Sequence, residues 1–488
     1  MTYPPQPYPP QADPPYGTWT PGPAPARRRG TAGIVAATIV GTAVVLVVLA
    51  VVAAGLNANT ASAYPWTHGS AGVEAEAAAT NWEFPVPEPS ASRGTPEERI
   101  NALCAELNES LTTRNREAFF AHVQGAAVGP LTRWWNNMDQ LGWTTGAIGV
   151  YDNEAHGGMT IDAVMFLGAQ MPFGKGTARG SGVPGAGMAS FPVMPYDAEV
   201  EFNDGPQIVQ WVPHGEPAPW DSDDLVAVRG NNVVIAAAQD EQGLLADTLA
   251  MADSAAEWVM TDYAASTGKV APVTGFTSFV TLSAERFARW YAGQISVDNV
   301  AGVAMARYNP PSAAAHPDPV IITGPQTGGS FMAIGPGAFK PREYAERVFA
   351  HEFTHAIQEA DVPDLKTDFL GDEKSAIEGW ARYQDLRYMN GGTYPVGSRV
   401  SRESKWCIGK FFDGAVPEND AFEGQDAFCF YEIASTLYAY LADAGYDPLA
   451  VANAAKRDHG NPLAASGDFK GAGVSRDEWT RWVNHNIL

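Results

Sequence analysis

The chain contains 488 residues, 45% of them hydrophobic, which is enough for two or three domains with packed cores. Its formal net charge of −24 argues against nucleic acid and against an anionic lipid surface as partners, because both need clustered lysine and arginine. The cysteines Cys104, Cys407 and Cys429 have no CxxC spacing, which argues against a zinc site built from cysteine.

The N-terminal region predicts a membrane anchor. Residues 1–29 are rich in proline and end in three arginines, which indicates a disordered cytoplasmic tail. Residues 30–56 contain an uncharged run long enough for a single transmembrane helix, and residues 57–94 have the composition of an extracytoplasmic linker. No lysine or arginine follows the span until Arg93, so the positive-inside rule places the rest of the chain outside the cytoplasm. A cleaved signal peptide is the alternative, although its apolar region is usually shorter.

Residues 95–236 predict a middle α+β domain. Thr95, Pro96 and Glu98 have the spacing of a helix start with a capping box, and two further helices follow. Several strand-like runs come next, the last two joined at a Gly-Asn turn. This order resembles the cone-shaped domains of the nuclear-transport-factor-2-like superfamily. The resemblance implies a scaffold or binding module with a protein partner.

Residues 237–488 predict a mainly helical domain with a small mixed β-sheet, so the fold class of the whole chain is α+β. A long amphipathic helix comes first, followed by short strands bounded by glycine and proline and then by more helices. The strands are "FTSFVTLS", "AGVAMARYN", "PVIITGP" and "GSFMAIGPG".

The stretch "VFAHEFTHAIQ" places two histidines one helical turn apart. On a helical wheel, Phe349 and Phe353 lie on one side, whereas His351 and His355 lie on the opposite side with Glu352 beside them. Two histidines on one face of a helix, next to a glutamate, are the arrangement of a catalytic metal site. The alternative is a pair of histidines that are hydrogen-bonded in a core or solvated on the surface.

A catalytic metal site also needs a third ligand. Glu378 lies 23 residues after His355, on a second predicted helix, "SAIEGWARYQDLRYM". Two antiparallel helices joined by a proline-containing loop would bring Glu378 against the histidine pair. Glu373, in the same region, is a rival ligand.

The motifs "HEFTH" and "EGWARY" together resemble those of the gluzincin metallopeptidases, a resemblance that covers about residues 240–488. It implies that His351, His355 and Glu378 bind Zn²⁺, and that Glu352 is the general base toward a zinc-activated water. The helix "CFYEIASTLYAYLADAGY" resembles one in which related enzymes carry a tyrosine that stabilises the oxyanion. The matching position is Tyr431, for which a half-buried structural tyrosine is the alternative.

The chain departs from the related aminopeptidases because it has no G-A-M-E-N signature, and "GSFMAIGPG" occupies the corresponding place. An edge strand there could pair with an extended substrate backbone, which favours an endopeptidase. The leading hypothesis is therefore a membrane-anchored, extracytoplasmic zinc peptidase that acts on polypeptides. The alternatives are a non-catalytic scaffold with a structural zinc site and a metallohydrolase with a non-peptide substrate.

The cysteines fit an exported domain. Cys407 and Cys429 lie in one local region and could form a disulfide in an oxidising compartment. Cys104 lies within an apolar helical pattern, which predicts a small buried side chain.

Overall fold

The structure is a computed structural model. It describes residues 94–488 except for 157–159, 172–193, 204, 216, 274, 291–299, 307–329, 342–343, 363–373, 423–425, 459 and 468–473. All described residues belong to one compact unit of the chain. They form helices and two sheets, which confirms the predicted α+β class.

The predicted membrane anchor cannot be compared with the structure, because residues 1–93 lie outside the described residues. The tail, the transmembrane helix and all but the last residue of the linker therefore stay predictions. Within the described part of residues 94–488, no helix is both long and apolar enough to cross a bilayer.

The middle part of the chain consists of helices followed by an antiparallel sheet, as predicted. Its elements are α1 (Pro96–Thr113), α2 (Arg116–Phe120), α3 (Val128–Leu141), β1 (Thr145–His156), β2 (Thr160–Gln170), β3 (Met194–Glu201), β4 (Gln207–Pro213) and the short α4 (Pro219–Ser222). The sheet order is β1-β2-β3-β4, with every neighbouring pair antiparallel.

Two predictions for this part are confirmed. The capping box at the start of α1 is present, because the Glu98 amide donates to Thr95 Oγ1 at 3.2 Å and the Thr95 amide donates to Glu98 Oε2 at 2.7 Å. Cys104 is fully buried as a free thiol, and this burial raises its pKa to about 12. Cys104 therefore packs as a small apolar side chain.

The second sheet is mixed and has five strands. They are β5 (Leu225–Arg229), β6 (Val233–Ala238), β7 (Phe276–Val280), β8 (Gly302–Ala306) and β9 (Ser330–Ile334), in the order β5-β6-β7-β9-β8. β6, β7 and β9 run parallel, whereas β5 and β8 are antiparallel to their neighbours. The predicted hairpin at the Gly-Asn turn is confirmed as β5–β6. The predicted domain boundary at 236/237 falls inside β6, so a strand of the predicted middle domain hydrogen-bonds to β7 of the C-terminal part.

This sheet separates two hydrophobic cores, because successive side chains of a strand point to opposite faces. Val234, Ala236 and Phe279 belong to the core of the middle part. Val233 and Phe276 belong to the core that the C-terminal helices complete. Both faces of the sheet are therefore covered.

The edge strand is not the one that the sequence predicted. "GSFMAIGPG" forms β9, which lies between β7 and β8. Among the described strands the two edges are β5 and β8, and β8 comes from "AGVAMARYN". The reason is visible in the burial of β9, where Phe331, Met332, Ala333 and Ile334 are fully buried, as in a central strand with both faces covered.

The C-terminal part is mainly helical, as predicted. Its helices are α5 (Leu245–Thr267), α6 (Ala284–Trp290), α7 (Tyr344–Asp361), α8 (Lys374–Met389), α9 (Arg402–Phe411), α10 (Ala427–Asp443), α11 (Pro448–Arg457), α12 (Pro462–Ala465) and α13 (Arg476–Asn486). α5 and α7 pack on the second sheet, α8 packs on α7, and α10 packs on α8.

The approach of α10 to α8 is very close at Gly379. A Cβ atom built there would lie 2.7 Å from Ala434 Cβ and 3.1 Å from Tyr438 Cε2. A disulfide between Cys407 and Cys429 then ties α9 to α10, with the Cα atoms 4.8 Å apart. The predicted cysteine pair is thus confirmed.

Candidate metal centre

Helix α7 has two covered faces with different chemistry. Its apolar face packs on the sheet, where Phe353 stacks on Phe276 with ring centroids 4.2 Å apart. The opposite face carries His351 and His355, whose rings are 4.7 Å apart and face α8. The predicted separation of apolar and histidine faces is therefore present, although the histidines lie between two helices and not on an open surface.

Glu378 lies on α8 directly opposite the two histidines. Its Oε2 atom is 3.3 Å from His351 Nε2 and 3.2 Å from His355 Nε2. His351 and Gln358 of α7 contact Asp385 and Ala376 of α8 respectively, so the two helices are antiparallel as predicted. The three ligand side chains that the sequence predicted therefore converge at one point.

The spacing of these atoms fits a small metal ion. The ligand atoms of His351, His355 and Glu378 all lie within 4.8 Å of one another. Two ligand atoms on a tetrahedral ion with bonds of ~2.0–2.1 Å are about 3.3–3.4 Å apart, which matches the two distances to Glu378. The group could thus hold a metal ion. It is also the only group of three or more such side chains within the described part of the chain. The rival ligand Glu373 lies outside the described residues.

Asp385 supports the site from behind His351, and the sequence reasoning missed it. Its Oδ2 atom is 3.1 Å from His351 Nδ1. A carboxylate can only accept, so Nδ1 carries the hydrogen and Nε2 is left to face a metal. The available signal was spacing, because Asp385 follows Glu378 by seven residues and shares its helical face.

Two arginines keep Asp385 charged in this buried place. Arg382 Nη1 donates to Asp385 Oδ1 at 2.7 Å, and Arg347 Nε lies 3.3 Å from the same oxygen. Burial alone would raise the pKa of Asp385, but these two guanidinium groups and His351 lower it below its usual value. Asp385 is therefore an ionised acceptor for the imidazole.

The ligand side chains strongly affect one another's protonation. Burial opposes a charge on His351, yet hydrogen bonds to Asp385 and Glu378 raise its pKa to about 10. Burial would likewise raise the pKa of Glu378, but the adjacent His355 and His351 hold it well below its usual value. In the metal-free protein, a proton on His351 Nε2 thus occupies the position that a metal would take.

Glu352 is buried beside the ligands but is not one of them. It is 5% exposed, and burial raises its pKa, partly offset by His351 and His355. Its carboxylate accepts a hydrogen bond from the Ala304 amide of β8. The strand comes this close because of Gly302, where a Cβ atom would lie 3.0 Å from Glu352 Oε1.

Tyr431 also lies next to α7, the helix that carries the two histidines. It is half-buried on α10, and its ring centroid is 6.0 Å from that of His351. On its other side, Phe422 contacts it edge to face at 5.3 Å. The structure therefore brings all five predicted site residues into one region.

The site therefore combines three possible ligand side chains, a separate carboxylate and a nearby phenol. Comparison with known proteins does not assign the chain to a family. The chain matches no model of a known protein family, and no curated protein matches it.

Proposed function

We propose that the chain is a zinc-dependent metallopeptidase that cleaves within polypeptides. One observation carries the proposal: Glu352 is buried directly beside the His351, His355 and Glu378 group without belonging to it. A structural metal site needs no such carboxylate, whereas hydrolysis requires a base next to the metal-bound water. The resemblance of both motifs to the gluzincins supports the same function.

Zinc is the metal that this donor set favours. Two imidazoles and one carboxylate form the three-ligand set of catalytic zinc sites, which keep the fourth position for water. When bound, zinc would lower the pKa of that water and polarise the substrate carbonyl.

The remaining steps fall to protein side chains. Glu352 would accept a proton from the attacking water on its carboxylate and pass it to the departing amine. The Tyr431 hydroxyl would donate a hydrogen bond to the carbonyl oxygen as that oxygen gains negative charge. His351 would be held in the correct orientation by Asp385.

The substrate backbone would bind along β8. This strand is one of the two described edges of the second sheet, its other side is hydrogen-bonded to β9, and its Gly302 lies against Glu352. An extended peptide could add to such an edge through main-chain hydrogen bonds. Because that mode does not depend on a free substrate terminus, it favours cleavage within a chain.

We also propose that the catalytic part lies outside the cytoplasm, anchored through the span at residues 30–56. The Cys407–Cys429 disulfide supports this location, since disulfides persist mainly in oxidising compartments. A protease added outside intact cells should remove the region after residue 94 and spare the N-terminal tail. Full protection of the C-terminal region would contradict the orientation.

The function is tested with two variants of the zinc-loaded full chain and labelled casein. Glu352→Gln keeps the size of the side chain but cannot take up the proton, so it should retain zinc and lose nearly all cleavage. His355→Ala should lose both zinc and cleavage. If Glu352→Gln cleaves like the wild type while holding zinc, Glu352 is not the base and the proposed mechanism is wrong. If the zinc-loaded wild type cleaves no casein, a scaffold with a structural zinc site takes the place of the peptidase.

A further inference from the structure

One guanidinium group connects α8, which carries the proposed ligand Glu378, to α10, which carries Tyr431. Arg382 lies on α8, is 3% exposed, and donates from Nη1 to Asp385 Oδ1 at 2.7 Å. Its Nη2 atom is hydrogen-bonded to Oε1 of Glu432 on α10. The Glu432 side chain is 1% exposed. A single buried cation thus has one partner behind the metal site and one on the neighbouring helix.

The first partner of Arg382, Asp385, contacts the proposed metal ligand His351. Asp385 fixes the His351 imidazole, and the face of α8 that carries Asp385 also carries Glu378 and Arg382, seven and three residues before it. A change in the position of Arg382 would therefore move Asp385 and alter the hydrogen bond that Asp385 accepts from His351 Nδ1.

The second partner leads to Tyr431, because Glu432 is the next residue in the chain. α10 approaches α8 without a side chain between them at Gly379, where Ala434 would contact any Cβ. That contact is apolar and small, and the hydrogen bonds from the Tyr438 hydroxyl of α10 to Ser375 and Ala376 of α8 lie two turns after Tyr431. The Arg382–Glu432 pair supplies a directional contact at the turn that carries Tyr431.

Stability alone does not explain this pair. Removing two charges from water costs about as much as their attraction returns, so an apolar pair of similar volume would serve stability equally well. What a buried, hydrogen-bonded ion pair adds is a defined relative position of the groups that it joins. Phe428 of α10 also packs near the guanidinium, with its ring centroid 5.3 Å from Cζ.

We propose that Arg382 is a positioning residue that places Tyr431 relative to the metal ligands through Glu432, while its other nitrogen holds Asp385. This inference rests on the proposed function, in which the Tyr431 hydroxyl stabilises the oxyanion. Glu432 itself touches neither ligand nor substrate in this scheme and acts only through its neighbour.

A double-mutant cycle tests the action through Tyr431. The kcat for labelled casein is measured for the zinc-loaded full chain, for Glu432→Gln, for Tyr431→Phe and for the double variant. Glu432→Gln keeps the side-chain volume but removes the charge that binds Arg382, and we expect kcat to fall about tenfold from the displaced hydroxyl. In the Tyr431→Phe background the same change should have no further effect, because no hydroxyl remains to be displaced.

Measurements of zinc affinity and of folding stability distinguish a positioning role of Glu432 from a general loss of structure. The zinc affinity of Glu432→Gln, measured by competition with a chromophoric chelator, should stay within about twofold of the wild type, because Asp385 keeps its bond to Arg382. Asp262→Asn is the matched control, since it weakens another ion pair of α8, that of Arg387, away from the site. It should lower the melting temperature without changing kcat.

Each other outcome overturns the inference. It is wrong if the two losses in kcat multiply, if Glu432→Gln leaves kcat unchanged, or if that variant loses zinc. Should Glu432→Gln fail to fold, Arg382→Lys replaces it: an ammonium cannot serve both carboxylates in the fork geometry of a guanidinium, so zinc affinity and kcat should both fall. Unchanged values for Arg382→Lys would reject the inference. Failure of the proposed function is a separate result, seen as no cleavage of casein by the zinc-loaded wild type, and failure of its mechanism is seen as undiminished cleavage by Glu352→Gln.

Discussion

Asp385→Asn tests whether this carboxylate tunes the metal site. Asp385 is 2% exposed and uses both oxygens, Oδ2 toward His351 Nδ1 and Oδ1 toward Arg382 and Arg347. An asparagine has one oxygen and one NH₂ group. If its oxygen stays with the arginines, its NH₂ group faces the Nδ1–H of His351, and two donors meet.

The imidazole can relieve that conflict only by moving its hydrogen from Nδ1 to Nε2, the atom that must bind the metal. Loss of such a supporting partner typically weakens metal binding 10–100-fold, which is about 1.4–2.7 kcal/mol. If the asparagine rotates instead, Arg382 loses one charged hydrogen bond but keeps Glu432, so the free energy of unfolding should fall by about 1.5–3 kcal/mol.

The assay is competition for zinc between the full chain and a chromophoric chelator, together with a denaturant titration of the metal-free protein. Asp262→Asn is the matched control, because Asp262 of α5 accepts from Arg387 at 2.7 and 2.9 Å and from Gln384 at 2.8 Å. Both donors lie on α8, as Asp385 does, but their contacts with Asp262 are away from the ligands. The control should lose stability and keep its zinc affinity. Unchanged zinc affinity together with unchanged stability in Asp385→Asn, or equal losses of zinc affinity in both variants, would refute the reasoning.

Three further predictions concern the same region. Tyr431→Phe should keep zinc and lower kcat by about 10²–10³, the usual loss for one oxyanion donor; a kcat equal to that of the wild type would make Tyr431 a structural residue. Burial opposes protonation of His351, but its pKa is about 10, so zinc must displace a proton, and affinity should rise about tenfold per pH unit from about pH 6 to pH 9 in chelator competition. A pH-independent affinity would contradict this. Replacing Cys407 and Cys429 by serine opens a loop of 22 residues and should lower the free energy of unfolding by about 3 kcal/mol, whereas mass spectrometry without reduction should find the two native peptides linked.

The site was predictable where a single helix fixes the geometry. His351 and His355 share a face because four residues make nearly one helical turn, and Glu352 lies beside them for the same reason. Glu378 needed one more step, the antiparallel pairing of two helices, and its glycine neighbour is explained by the close approach of α10.

What the sequence could not provide is the register between helices. Asp385 supports His351 only because α8 meets α7 at one particular offset, and residue spacing does not set that offset. The same limit applies to Arg382 and Glu432, which are 50 residues apart and meet only after α10 has docked.

The order of the strands in the second sheet could not be predicted from the sequence pattern. The composition of a strand does, however, indicate whether both of its faces are buried. β6 reads "VVIAAA", a continuous apolar run that is typical of a strand buried on both faces. That run could have indicated a strand inside a covered sheet, and not the outer end of a separate middle domain. β9 has the same character, whereas Gly302, Val303 and Ala304 of β8 are partly exposed.

The correct identity of the edge strand changes what the site can recognise. A Cβ atom at Gly302 would lie 2.6 Å from Val348 Cγ1 and 3.0 Å from Glu352 Oε1, so β8 touches α7 where the proposed base lies. A peptide that pairs with the outer edge of β8 would therefore run past Glu352 with its carbonyl groups held by main-chain hydrogen bonds. Such pairing recognises the extended backbone of the peptide through main-chain hydrogen bonds and does not depend on its side chains. It follows that backbone pairing on β8 would select extended, unfolded segments over any particular residue.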